Sequence, residues 1–548
     1  MEQIKKPNWR LMLTGIPVLV IILTLLYLMA RTVMFFAMDY AWFEKVVAAA
    51  LLLAEGFLLL HGVGYFTEIF HVIGRLGNVM PADTADSAAP VFFPPVAIVV
   101  ASYKEPLEII AETLVSFYNL AYPNKHLVLL DDTRYDLAGR DSEGMDRYRQ
   151  AVEDLCQRSG VNLFRRQWHH AKAGMINDFL DFLAGRERDG SHFYPYADRP
   201  FNRNCTYMAI FDADQNPFPG FLTGLVAQME ANPALGFIQT PQYYSNFEHN
   251  RVARAAGLQQ AVFYEYICEG KSINDAMFCC GTNALFRISA LEDVGGFEEG
   301  SVTEDFATSI KFHLKGWHSA YSSTVAAFGL GPEDLGGYFK QQFRWALGTV
   351  GMLPLVAREF VRNPFRLPFV KWWEYFLSST YYMVGFVFFI MMLCPVAYLL
   401  FNLPSYFAWP GMYLLFFLPY IGATLWVFLW TLRQRNYRLR DLALGQALII
   451  NTFAVYIKAS VLALLNRKGT FEVTPKGAAN ALPLRQLWPN MLFFTISFGA
   501  LVWGANRLIY RDGAVYALVA NMFWCAYHAV VLGAVLYINR AKEVEKPA

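Results

Sequence analysis

The sequence predicts an α/β domain inserted between membrane-spanning helices, with about six spans in all. Three observations lead there. The 548 residues are 55% apolar and only 17% charged, and the apolar excess lies in long uncharged runs, as in integral membrane proteins. From about residue 90 to residue 345 these runs give way to short apolar segments alternating with amphipathic ones, the pattern of a layered domain with a mainly parallel sheet. Basic residues cluster at particular ends of the apolar runs and so orient them. A net charge of +1 supplies no basic surface for a phosphate backbone, which argues against nucleic acid as partner. Cys156, Cys205, Cys268, Cys279, Cys280, Cys394 and Cys525 show no metal or redox spacing, so free thiols in a reducing compartment are expected.

Leu11 to Ala30 carries no charge and follows Lys5, Lys6 and Arg10; it is long for the core of a cleaved signal peptide and reads as a retained span starting in the cytoplasm. Val46 to Tyr65 returns the chain, and its Glu55 and His61 should face protein or water. Met80 to Pro95 reads as a linker. VAIVVAS (96–102), HLVLLDD (126–132), YMAIFDAD (207–214) and LGFIQT (235–240) read as buried strands, with helical patterns at about 107–120, 143–157, 172–183 and 219–231. Ligands of such sheets gather beyond the carboxyl ends of the strands, where Asp131, Asp132, Asp212 and Asp214 fall.

Beyond Trp345 an amphipathic stretch (346–362) precedes spans at about 375–401 and 411–430. The apolar run from Leu442 to Leu465 has basic residues on both flanks and is expected to lie along the membrane surface, with a seventh crossing as the competing topology. Spans at about 490–509 and 515–538 end the chain on the cytoplasmic side. The aromatic residues Trp372, Trp373, Tyr381, Tyr382 and Phe386 suit the lining of an exit channel or lipid-facing packing, with lipid preferred.

Asp212-Ala213-Asp214 at a strand end offers two carboxylates to Mg²⁺ or Mn²⁺, although D-x-D alone is common in solvated turns. Thr303-Glu304-Asp305 reads as an N-cap with acids in the first helical turn, and equally as a general base at Asp305. In FKQQFRW (339–345), Arg344 can fork onto a diphosphate and Trp345 can underlie a sugar ring; an interfacial helix is the plainer account.

Taken together, DDTRYD (131–136), HHAKAGMIN (169–177), DAD (212–214), QTPQYY (239–244), FCCGTNALFR (278–287), TED (303–305) and QQFRW (341–345) stand in the order seen in processive family-two glycosyltransferases of the cellulose synthase type. FEVTPKG (471–477) resembles the gating loop that covers nucleotide in bacterial cellulose synthases. The resemblance runs from about Val96 to Gly477 and implies a GT-A-like cytosolic domain that takes a UDP-sugar, with UDP-glucose expected. It implies that Asp131 or Asp132 contacts the nucleoside, that Lys172 lies on the nucleotide side, and that Asp212 and Asp214 hold the diphosphate through Mg²⁺ (or Mn²⁺). Asp305 would be the catalytic base, Gln341 and Arg344 would face the diphosphate, and Thr474 and Lys476 would close over the nucleotide. Trp345, Gln239, Thr240, Pro241, Gln242, Cys279 and Cys280 would line the acceptor end.

The implied product is a β-glucan exported across a bacterial inner membrane, with the growing polysaccharide and lipids as partners and a periplasmic or regulatory subunit as a further one. The family commonly has Asn where Met175 stands, Gly where Thr133 stands and His where Gln242 stands, so another β-linked product, from N-acetylglucosamine or mannose donors, is the first alternative, and an inactive channel or scaffold the second. No cyclic-di-GMP-binding domain is expected after Gly477. The expected organisation is two spans in 1–66, a transferase domain in 90–345, interfacial helices and two spans in 346–465, a gating-type loop in 466–489, and two spans with a tail in 490–548.

Overall fold

A computed structural model describes residues 9–76, 92–137, 142–324, 326–406, 410–434, 437–467 and 480–540. The FEVTPKG segment, with Thr474 and Lys476, lies outside the described residues.

Eleven strands are described in chain order: β1 Val96–Ser102, β2 Lys125–Asp131, β3 Asn162–Arg165, β4 His192–Tyr194, β5 Tyr207–Asp212, β6 Asn216–Pro217, β7 Leu235–Gln239, β8 Tyr243–Tyr244, β9 Ala284–Arg287, β10 His318–Tyr321 and β11 Ala327–Gly329. Eight of them form one sheet in the order β10-β7-β9-β5-β1-β2-β3-β4, and β6-β11-β8 form a small second sheet. The large sheet is parallel except that β9 runs antiparallel between β5 and β7 and β4 antiparallel against β3. The four expected strands and the four expected helical segments are present; β3, β4, β9 and β10, each of three or four residues, add to them.

Strand periodicity builds the core. Val96, Ile98 and Val100 face one apolar layer with Ile110, Leu114 and Phe117 of the helix Leu107–Tyr118, while Ala97 and Val99 face the other with Met175, Ile176 and Phe179 of the helix Ala171–Leu183. All of these are essentially inaccessible, and each large apolar side chain so buried contributes about 1.5–3 kcal/mol. A strand covered on both faces by helices reads as a continuous apolar run, as VAIVVAS does. The fold is GT-A-like.

Among the described residues, six helices are long and apolar enough to cross a membrane: Gly15–Ala37, Trp42–Val72, Phe369–Phe401, Leu414–Thr431, Leu484–Ile509 and Val515–Ile538. The pair Leu439–Asn451 and Phe453–Leu464, bent by 45° at its break, would make a seventh if it were one span. Glu55 faces protein, accepting from Arg31 Nε at 2.7 Å and Tyr27 Oη at 2.9 Å, and His61 Nε2 meets Thr380 Oγ1 at 3.2 Å. Trp372 is a correction to both readings of the aromatic group: it is buried within the protein, with its indole N–H donating to the Pro364 carbonyl.

Domain and membrane helices are joined through buried charge. Lys271 reaches Glu374 of the helix Phe369–Thr380 at 2.5 Å, and Asn274 donates to Glu374 and to Glu68 of the helix Trp42–Leu76. Lys271, Glu374 and Glu68 are each at most 4% exposed. The helix Leu335–Gly351 is a second link. Gly348 packs on Thr303, where a Cβ would stand 2.3 Å from Cγ2, and Gln342 accepts from Tyr456 Oη of the bent pair.

Candidate active site

Strand register sets the floor of the site. Ser102 pairs with Asp131, and Ala101 with both Leu130 and Asp212, so the carboxyl ends of β1, β2 and β5 open at one level. Beyond them lies a cavity of about 530 Å³, within the range of small-ligand sites. Asp132, Lys172, Asp212, Asp214, Gln242, Cys280, Asp305, Gln341, Arg344 and Trp345 all line it. The structure thus gathers side chains that the sequence spreads over more than two hundred positions.

On the strand side, Lys172 Nζ donates to Asp212 Oδ1 at 2.5 Å and to the Gly281 carbonyl at 2.6 Å. Burial works against this ammonium and Asp212 outweighs it, so its pKa is raised. Asp132 accepts from Arg166 at 2.9 Å, yet burial pushes its carboxyl up to about 7. Arg134 stacks on the Trp168 ring at 4.3 Å, and both line the cavity with Tyr103, giving this end an aromatic and cationic face.

The opposite wall comes from two helices. Asp305 opens the helix Glu304–Lys315, where its Oδ1 accepts from the Phe306 N–H at 2.8 Å. Thr303 holds the N-cap position without a capping hydrogen bond from its side chain, which corrects the capping account of that residue. Burial pushes the Asp305 carboxyl up to about 7, and the Glu304 charge adds to the rise, while the Phe306 N–H, Lys172 and Arg344 pull the other way. A pKa there suits a general base at neutral pH. Gly281 makes room: its φ of +85° is one that a side chain resists, and a Cβ would stand 3.0 Å from Asp305 Oδ2. Gln341, Arg344 and Trp345 sit at i, i+3 and i+4 on one face of the helix Leu335–Gly351, while Gln342, Ala346 and Leu347 are buried.

Several expected residues lie behind the wall. Asp131 is buried, accepting from Arg165 Nε at 2.9 Å, Tyr135 Oη at 2.7 Å and the Thr133 N–H at 3.2 Å; it holds the loop, and Asp132 takes the cavity. Gln239, Thr240, Pro241 and Cys279 are also withdrawn from the cavity. The Gln239 amide donates to the carbonyls of Thr240 and Thr282 and accepts from the Cys280 N–H, so it fastens the 279–283 turn. Sequence reasoning passed over Tyr103, Arg134, Trp168, Gln215 and Glu304 as cavity residues. Tyr103 directly follows a strand end and Glu304 precedes Asp305, which was signal enough for both.

Asp212 and Asp214 fit a hard divalent cation. They are oxygen donors on one rim, Lys172 engages only one Asp212 oxygen, and the Asp212 side chain is 46% exposed and can turn to a metal diphosphate.

Residues 207–431 match the family model described as glycosyl transferase family group 2, and residues 97–295 match glycosyl transferase family 2. Cellulose synthase 2 of Novacetimonas hansenii is 26% identical over 515 residues, 91% of this chain and 29% of its own length. The cellulose synthase catalytic subunit (UDP-forming) of Pseudomonas fluorescens strain SBW25 is 25% identical over 562 residues, 99% of this chain and 68% of its own. The chain is thus similar to family-two glycosyltransferases and, over most of its length, to cellulose synthases. It spans about a third or less of the length of several curated relatives it matches, 29% and 31% for two of them. Among solved structures, the mannosyltransferase of Pyrobaculum calidifontis in complex with GDP-Man and Mn²⁺ aligns over 78% of this chain and 100% of its own, at 17% identity and a TM-score of 0.48.

Proposed function

We propose that this glycosyltransferase polymerises glucose from UDP-glucose into a β-linked glucan at the cytoplasmic face of a bacterial inner membrane and passes the product outward. The observation that carries this reading is the meeting, in one cavity, of Asp132, Lys172, Asp212 and Asp214 with Asp305 and with Arg344 and Trp345, the last two on a helix anchored among the membrane helices.

In this mechanism Asp305 takes the proton of the acceptor hydroxyl, which attacks the anomeric carbon opposite the departing UDP and inverts an α-linked donor to a β-linked product. Asp132, with Arg134 and Trp168 beside it, holds the nucleoside end. Mg²⁺ (or Mn²⁺) bound by Asp212 and Asp214 would offset charge on the leaving diphosphate. Arg344 and Gln341 bind the diphosphate from the opposite wall, and Lys172 keeps the Asp212 carboxylate and the 279–283 turn in place. Trp345 presents an indole face to the acceptor sugar.

The test is incorporation of labelled UDP-glucose by the purified protein in lipid vesicles with Mg²⁺, followed by digestion with linkage-specific β-glucanases. High-mass product cut by one of them is the expected result. Polymer from UDP-N-acetylglucosamine or GDP-mannose alone would replace the donor, and polymer formed equally well by Asp305→Asn would overturn the assigned base.

A further inference from the structure

Outside the cavity, one group of side chains has the composition and spacing of a metal site. His169, His170 and Glu299 bring Nδ1, Nδ1 and Oε2 together: 3.3 Å separates the two ring nitrogens, 2.7 Å His170 from Glu299, and 3.8 Å His169 from Glu299. They are the one group of three or more potential ligands of this kind among the described residues. Tetrahedral zinc with bonds of about 2.0–2.1 Å has ligand-to-ligand edges of about 3.3 Å, and the three separations straddle that value.

The surroundings favour ligation. His169 Nε2 meets Asp178 Oδ2 at 2.8 Å, an outer carboxylate that fixes the tautomer and leaves the Nδ1 lone pair for the cluster. Glu299 accepts from Asn177 through Oε1 at 2.8 Å, which turns Oε2 to the histidines. The nearby guanidinium groups are paired elsewhere, Arg166 with Asp132 and Arg188 with Asp178 and Asp181, so neither neutralises Glu299 through a salt bridge. The backbone is bent to make the arrangement: His170 and Ala171 have φ of +47° and +45°, a costly conformation for two successive side-chain-bearing residues. Gly174 lets His169 seat against the helix, since a Cβ there would stand 2.8 Å from its Nδ1. The histidines are partly exposed, with side chains 32% and 58% accessible, so an ion can enter and a fourth position stays open.

We propose that His169, His170 and Glu299 bind a zinc-class divalent cation, separate from the Asp212–Asp214 rim. The ion clasps the segment that leads into Lys172 to the loop that leads into Asp305, joining the donor-side lysine and the base through one bond network. Borderline imidazole ligands select this class over Mg²⁺, which prefers oxygen.

The test uses the full chain in detergent or nanodiscs, stripped with chelator and titrated with Co²⁺ in the absence of nucleotide, then challenged with Zn²⁺. One equivalent with the intense visible bands of four-coordinate Co²⁺, displaced by Zn²⁺ but not by Mg²⁺, is expected. His170→Ala and Glu299→Gln should each weaken binding about tenfold or more, and Asp214→Asn should leave it unchanged. Glu299→Gln keeps the side chain's shape and decides the matter if His170→Ala does not fold. Absence of binding, weak six-coordinate bands, indifference to Glu299→Gln, or loss in Asp214→Asn would each overturn the site. These readouts do not require transfer activity, so the proposal stands or falls apart from the donor assignment.

Discussion

Lys172 and Asp212, forty residues apart, are held Nζ to Oδ1 at 2.5 Å, and the same ammonium is 2.6 Å from the carbonyl of Gly281, the residue packed against Asp305. One lysine therefore ties the strand end that bears the acidic rim to the turn that borders Asp305.

Lys172→Met should lower kcat/KM for the donor by about 100-fold, in the range of losing one preorganised electrostatic contact. Because the Asp212 side chain is 46% exposed, the freed carboxylate can be hydrated, so the thermal midpoint should fall little. Steady-state kinetics beside a melting curve separate the two effects.

The proposed base, Asp305, would act as its carboxylate, so kcat/KM should rise with pH up to about 7 and level off above it. Asp305→Asn should lower transfer by about two to four orders of magnitude at every pH while nucleotide binding persists. The stability effect has the opposite sign. The folded state raises this carboxyl from its ordinary 3.8 to about 7, so the fold holds the proton more tightly than the unfolded chain, and stability is lost as pH rises through that window. The variant should match the wild type in acid and melt higher above about pH 7.

Gly281→Ala combines a positive φ with a Cβ 3.0 Å from Asp305 Oδ2. Denaturation should show a loss of about 1–2 kcal/mol from backbone strain alone. Transfer should fall further than stability, because the displaced group is the proposed base.

Chelation should abolish transfer, and Mg²⁺ or Mn²⁺ should restore it. Asp214→Asn should cost about 100-fold or more and raise the metal concentration needed for half-maximal rate, a shift that metal titration at fixed donor reads directly.

The buried strands were legible because sheets covered on both faces leave runs such as VAIVVAS, and the spans because lipid demands long uncharged stretches. Four residues of β9 were not: ALFR has no resolvable period, and its antiparallel insertion between β5 and β7 is a tertiary choice. The motifs located Asp132, Asp214, Asp305 and Arg344 on one cavity but could not say which of two adjacent residues faces it. Asp131 turns inward because Arg165 and Tyr135 wait behind the strand, and Gln239 turns inward because the 279–283 turn leaves carbonyls to satisfy. Such decisions rest on partners remote in sequence.

The contact of Lys271 with Glu374, shared through Asn274 with Glu68, makes the transferase a domain by shape but not by thermodynamics. A fragment cut at the membrane boundary would keep the lysine and lose both carboxylates together with the helices that bury it, exposing to water a face that is packed inside the whole protein. An engineer who grafts this domain onto another set of spanning helices should carry the two acidic positions along with it.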